Sequence, residues 1–127
     1  MHNVTSQVRE YFALAAAGTP SVPRCEDCGV RFLPPRAACP RCGATRLGWF
    51  DATGAQGTVY SLTRKDDGSV TALADLDCVD GGGRLLAAVV GAKAQEVRIG
   101  DPVVLDTAES DFELADRVPV LRRGEAR

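Results

Sequence analysis

A chain of 127 residues, 45% hydrophobic and with a formal charge of −2, has room for one compact domain or two small ones, and no apolar run approaches the roughly 20 residues that span a bilayer. Five cysteines, in two tight pairs plus a stray, argue against a disulfide framework. The charge is uneven: residues 1–50 hold six arginines against three acidic residues, a balance of +3, and residues 51–127 hold nine basic against fourteen acidic, a balance of −5. This shift near Phe50 suggests two functional halves.

The opening stretch, MHNVTSQVREYFALAAAG, has no basic segment followed by a continuous apolar one. Arg9 and Glu10 fall where a signal peptide would have its apolar core, so a reducing, cytoplasmic setting is expected. Residues 3–17 are predicted to form an amphipathic helix, within a first segment of 1–20. Val4, Val8, Tyr11 and Ala15 recur at helical spacing, with Phe12 and Leu14 beside them. Asn3 is a candidate cap, and Gly18 and Pro20 end the run. One apolar stripe on so short a helix must pack on its own domain or on a partner subunit, and the first is the simpler expectation.

Residues 21–50 form the second segment and hold CEDCGVRFLPPRAACPRCG, two Cys-x-x-Cys pairs. Each pair places two thiolates on one tight turn, where they grip a metal from one side. Ten residues, 29–38, separate Cys28 from Cys39, enough for a short hairpin that brings the turns face to face. Gly29 and Gly43 follow the second cysteine of each pair, where a glycine permits a positive φ. Cys25, Cys28, Cys39 and Cys42 therefore read as a closed, structural Zn²⁺ site. Two redox motifs, incidental cysteines, or iron in place of zinc are the competing readings. A segment this short needs a staple. Zinc supplies on the order of 10–16 kcal/mol to such a module, comparable with or above the roughly 5–15 kcal/mol of a whole domain. Phe32, Leu33, Trp49 and Phe50 are expected to cover the metal turns and dock them, and Pro34-Pro35 to stiffen the crossing between them.

Residues 51–127 read as strands. GTVYSLT (57–63), VTALADL (70–76), RLLAAVV (84–90), PVVLD (102–106) and a last strand with Val118, Val120 and Leu121 are separated by Gly/Asp turns. Five short strands with little helix suggest a small closed or partly closed β-barrel, with an OB-fold the most economical choice. Gly81-Gly82-Gly83 lacks the Lys-Ser/Thr tail and following helix of a phosphate loop, and is expected to be a flexible hairpin turn. Cys78 reads as a packed or edge cysteine rather than an acyl-carrying nucleophile, which would need a depressed pKa. His2, at the terminus, is no catalytic candidate.

Nucleic-acid binding is disfavoured. The barrel half is at −5, and Tyr60 and Phe112 are its only aromatics. No Ser-His-Asp set with a usable histidine stands out for an autonomous enzyme. A scaffold or binding module that completes another protein is left.

The succession of helix, VPRCEDCGVRFLPPRAACPRCG, LGWFDATGAQGTVYSLT, ALADLD, RLLAAVVG and VRIGDPVVLD resembles the zinc-ribbon/OB-fold proteins associated with acyl-CoA enzymes, over about residues 8–106. The Pro-Pro ribbon, the Gly-Thr-Val-Tyr-Ser strand and the Ile-Gly-x-Pro-Val step carry the likeness; Thr107 onward fits more loosely, and Cys78 is outside the pattern. The resemblance implies a mainly β chain: an N-terminal helix, a rubredoxin-like zinc ribbon and an OB barrel. It implies Cys25, Cys28, Cys39 and Cys42 as zinc ligands and transfers no catalytic residue. It also implies an accessory subunit that braces a thiolase-like or ketosynthase-like enzyme, or a hot-dog-fold enoyl-CoA hydratase, and helps shape its acyl-CoA channel. If CoA touches this chain, its phosphates are expected near ribbon arginines such as Arg36 or Arg41, or on the partner.

Overall fold

The computed structural model describes residues 6–111, 113 and 115–124. The candidate cap Asn3, Val4, His2 and Phe112 lie outside them. One helix, α1 (Ser6–Ala16), precedes a two-stranded sheet of β1 (Ser21–Cys25) and β2 (Leu47–Asp51). Five further strands follow: β3 (Gln56–Arg64), β4 (Val70–Leu76), β5 (Leu85–Val90), β6 (Pro102–Glu109) and β7 (Arg117–Arg123). A single 3₁₀ turn, Ala94–Glu96, lies between β5 and β6.

Helix α1 ends as its sequence dictates. Gly18 takes φ 89°, which costs a residue without a Cβ nothing. The Gly18 N–H then donates to the Ala15 carbonyl and the Thr19 N–H to the Leu14 carbonyl, the paired bonds of a Schellman stop. The stripe docks on the chain itself, against β1 and β7. Tyr11 and Ala15 are buried, and the Tyr11 ring lies 6.4 Å from that of Trp49 and 5.2 Å from that of Phe12.

The five later strands close a barrel in the order β3-β4-β5-β7-β6, with β6 returning to β3. All ladders are antiparallel except β5–β7. This is the five-stranded OB arrangement. Strict alternation along β4 and β5 sends Val70, Ala72, Ala74, Leu76, Leu85, Ala87 and Val89 inward, where small alanines suit the narrow lumen. A bulge between Val59 and Ser61 turns Tyr60 outward, where Arg84 lies 3.6 Å over its ring. Strand β6 runs three residues past the predicted end, to Glu109, because β7 pairs with it along its length. Strands β1 and β2 were not among the predicted strands. Their ladder, from Ser21↔Asp51 to Cys25↔Leu47, forms the base of the cysteine-bearing segment.

The loop Asp80–Gly83 is not the free hairpin turn expected from its glycines. The Asp80 and Gly81 N–H groups donate to the Arg31 carbonyl at 3.1 and 2.8 Å, and the Leu33 N–H donates to the Gly82 carbonyl at 3.2 Å. Asp80 Oδ1 accepts the Arg31 N–H at 2.8 Å. The glycines let two backbones touch: a Cβ on Gly83 would sit 1.8 Å from the Leu33 carbonyl oxygen. The loop is a strap tying the barrel to the cysteine-bearing segment.

Candidate metal centre

The two Cys-x-x-Cys turns are built alike. In the first, the Cys25 N–H donates to the Val30 carbonyl and the Gly29 N–H to the Cys25 carbonyl, both at 2.9 Å. In the second, Cys39 donates to Ala44 at 2.8 Å and Gly43 to Cys39 at 2.9 Å. Gly29 and Gly43 adopt φ of 81° and 77°, as the turn requires. Strand β1 delivers Cys25 to the first turn and β2 leads away from the second, so the small ladder sets the distance between the halves.

The turns meet with all four sulfurs within 4.8 Å of one another. Cys25 Sγ is 3.6 Å from Cys42 Sγ, and Cys28 Sγ 3.6 Å from Cys39 Sγ. These separations are far beyond a disulfide bond of about 2.05 Å. They match the edge of a tetrahedron with metal–sulfur bonds of about 2.3 Å, which is roughly 3.8 Å. Backbone N–H groups aim at the sulfurs: Cys28 at Cys25 Sγ (3.4 Å), and Arg41 and Cys42 at Cys39 Sγ (3.4 and 3.5 Å). The four cysteines are thus arranged to bind a metal ion.

The protonation pattern points the same way. Burial opposes ionisation of Cys39, but the Cys42 and Arg41 N–H groups outweigh it and bring the thiol down to about 6. The Cys28 N–H lowers Cys25 similarly. The Ala44 N–H favours a Cys42 thiolate, yet the Cys25 sulfur, desolvation and the remaining sulfurs push it up to about 12. Cys28 is raised as well, the Val30 N–H being outweighed by desolvation and its sulfur neighbours. Four thiols this close cannot all ionise unaided. A divalent cation held by Cys25, Cys28, Cys39 and Cys42 would remove the conflict by stabilising all four as thiolates.

Apolar cover divides in two. Phe32, fully buried, joins Val30 and the buried Cys25 and Cys39 to roof the sulfurs, with Ala44 and Leu47 at the margin. Leu33, Trp49 and Phe50 instead join the core shared by helix and barrel. Arg31 links the two groups. Its guanidinium lies 4.6 Å over the Phe50 ring and 3.5 Å from Asp80, while its Nε is buried without a partner. Neither this arginine nor the strap was singled out from sequence. Gly81-Gly82-Gly83 signals a close backbone approach but not what is approached.

Arg36 and Arg41 are exposed, Arg36 in the crossing segment and Arg41 on the second cysteine turn, and among the described residues neither side chain is ion-paired. Cys78 is half-buried, and desolvation raises its thiol, the behaviour of a packed rather than a reactive cysteine. No described helix is long and apolar enough to cross a membrane.

Comparison with known proteins places this geometry. Residues 21–48 match the family described as ChsH2, rubredoxin-like zinc ribbon domain. A probable enoyl-CoA hydratase alpha subunit from Thermomonospora curvata is 35% identical over 109 residues, covering 80% of this chain and 32% of the relative. The chain therefore spans about a third of that protein's length. Among solved structures, the Ltp2-ChsH2(DUF35) aldolase superposes with a TM-score of 0.75 at 29% identity, over 97% of this chain and 98% of the matched chain. A DUF35-family protein of unknown function from Sulfolobus solfataricus gives a TM-score of 0.63 at 18% identity, over 95% and 87%, a likeness of fold alone.

Proposed function

We propose, from its likeness to the zinc-ribbon/OB-fold proteins of the ChsH2 and DUF35 kind, that this chain is a zinc-binding accessory subunit of an acyl-CoA or acyl-thioester enzyme. The partner is a thiolase-like or ketosynthase-like protein, acting in thiolysis, retro-aldol cleavage, condensation or acyl transfer. The observation that carries this reading is the likeness, over almost the whole of both chains, to a structure whose name joins two components in one aldolase. A second reading, partnership with a hot-dog enoyl-CoA hydratase, is favoured by the name of the Thermomonospora curvata relative.

In this role Cys25, Cys28, Cys39 and Cys42 hold one Zn²⁺. Four sulfur ligands leave no open coordination position, so the ion is structural and supplies rigidity. It makes a stiff knob from few residues, and the strap and Arg31 transmit that stiffness to the barrel. Arg36 and Arg41, exposed and unpaired, are assigned to the phosphates of acyl-CoA at the shared interface. Reduced thiols of this kind belong in the cytoplasm.

The test is affinity purification from the native host, mass spectrometry of what co-elutes, and acyl-CoA turnover with and without the co-eluting enzyme. A thiolase-superfamily or hot-dog enzyme in stoichiometric amount, with turnover only in the complex, is expected. Turnover by the isolated chain refutes the accessory role. For the arginines, an Arg36→Ala/Arg41→Ala complex should bind CoA more weakly by calorimetry, and unchanged affinity removes that assignment.

A further inference from the structure

The barrel half carries nine basic and fourteen acidic residues, yet its cations are not spread evenly. Strands β5 and β7 form the parallel ladder, Val89↔Leu121 and Val90↔Arg122, so both chains leave the barrel at the same end. Each leaves through a glycine, Gly91 or Gly124. Between the two exits lies an open cleft of about 580 Å³ whose charged lining residues are Lys93, Arg122 and Arg123. A neighbouring cleft of about 810 Å³ shares Arg123 and adds Arg64 and Arg98, with Glu96 and Asp101 as its acidic lining. Five of the nine cations of an acidic half therefore converge on one end of the barrel.

The local pairing leaves donors over. Arg122 meets Asp106 through Nε at 2.6 Å, and Arg123 meets Asp101 through Nε at 3.4 Å. A guanidinium has five N–H donors, so each retains some for a second anion. Arg122 Nη1 reaches toward Gly91, where a Cβ would lie 3.5 Å from it. Gly91 adopts φ 106°, so a side chain there is disfavoured and the approach to Nη1 stays open. Lys93 is exposed and, among the described residues, unpaired. Two forked donors and a mobile ammonium around one cleft suit the oxygens of adjacent phosphates.

We propose that this end of the barrel, around Lys93, Arg122 and Arg123, is a binding site for the diphosphate group of a small organic ligand. Free nucleotides and CoA thioesters both present that group. The site is separate from Arg36 and Arg41 and belongs to the isolated chain, so it stands or falls independently of any partner enzyme.

The experiment titrates the full, metal-loaded chain with inorganic pyrophosphate, ADP and CoA at low salt, by calorimetry and by amide NMR shifts. Saturable binding is expected, with shifts centred on residues 91–93 and 122–124. Lys93→Gln/Arg123→Gln should weaken it at least tenfold, and Arg84→Gln, at a guanidinium that lies over Tyr60 and pairs with Asp75, should leave it unchanged. Lys93→Gln alone, at an unpaired position, should still lose severalfold if the double variant folds poorly. CoA binding tighter than ADP with the same shifts assigns the site to a CoA thioester, and equal affinities assign it to a nucleotide. No saturable binding, equal binding by the Lys93→Gln variant, or an equal loss in the Arg84→Gln variant overturns the proposal.

Discussion

Replacing Gly83 by alanine tests the strap directly, and Gly82 provides the control. Both residues have a positive φ, 99° and 91°. A Cβ on either incurs the left-handed backbone penalty of about 1–2 kcal/mol. At Gly82 nothing lies within 4 Å of the new atom. At Gly83 it would fall 1.8 Å from the Leu33 oxygen, 2.7 Å from its carbonyl carbon and 3.1 Å from its nitrogen. These are backbone atoms, so the two segments must separate. The Leu33 N–H bond to Gly82 is lost, worth about 0.5–1.5 kcal/mol. Leu33, now 4% exposed, gives up part of a burial worth roughly 1.5–3 kcal/mol. Gly83→Ala should therefore cost about 3–5 kcal/mol, against about 1–2 kcal/mol for Gly82→Ala. Urea unfolding with zinc in excess, followed by the fluorescence of Trp49, the single tryptophan, reads the difference. Equal stabilities for the two variants would refute the claim that the glycines serve a backbone contact.

Two further outcomes follow from the geometry. Elemental analysis should find about one zinc per chain, and chelation or Cys39→Ser should collapse the segment around the sulfurs; a metal-free chain that keeps its native NMR spectrum contradicts this. The Arg122 guanidinium, aided by the Thr107 N–H, holds the Asp106 carboxyl below the usual carboxylate range. Its stabilising effect is thus present above the unfolded value of about 3.9 and fades as pH falls through the lower folded value. Carboxyl NMR should show a midpoint below that of an unpaired aspartate, moving up in Arg122→Gln, and a normal midpoint in the parent protein sinks the pairing.

The legible parts of this fold are those whose cause is local. Alternation along residues 70–76 predicts β4 with the boundaries observed, because one face of that strand lines the lumen. The spacing of four cysteines, with a glycine after each pair, predicts that they come together. Strands β1 and β2 escaped because they are five residues each, and β1 holds Pro23 and Arg24. Their pairing joins Ser21 to Asp51 and Cys25 to Leu47, partners distant in sequence that no local pattern announces. The strap escaped for the same reason: Asp80–Gly83 is fixed by Arg31 and Leu33, some fifty positions away in sequence. The cations of the barrel end, from Arg64 to Arg123, vanish in any average of charge along the chain. Only closure of the barrel gathers them.

The parallel ladder has a mechanical side as well. Val89↔Leu121 and Val90↔Arg122 are its whole extent, the shortest run of pairing in the cylinder. A closed wall that yields must yield somewhere, and this seam has the fewest paired residues. Breathing of the wall would open like a clasp beside the exits at Gly91 and Gly124, and whatever sits across that gap would act as its latch.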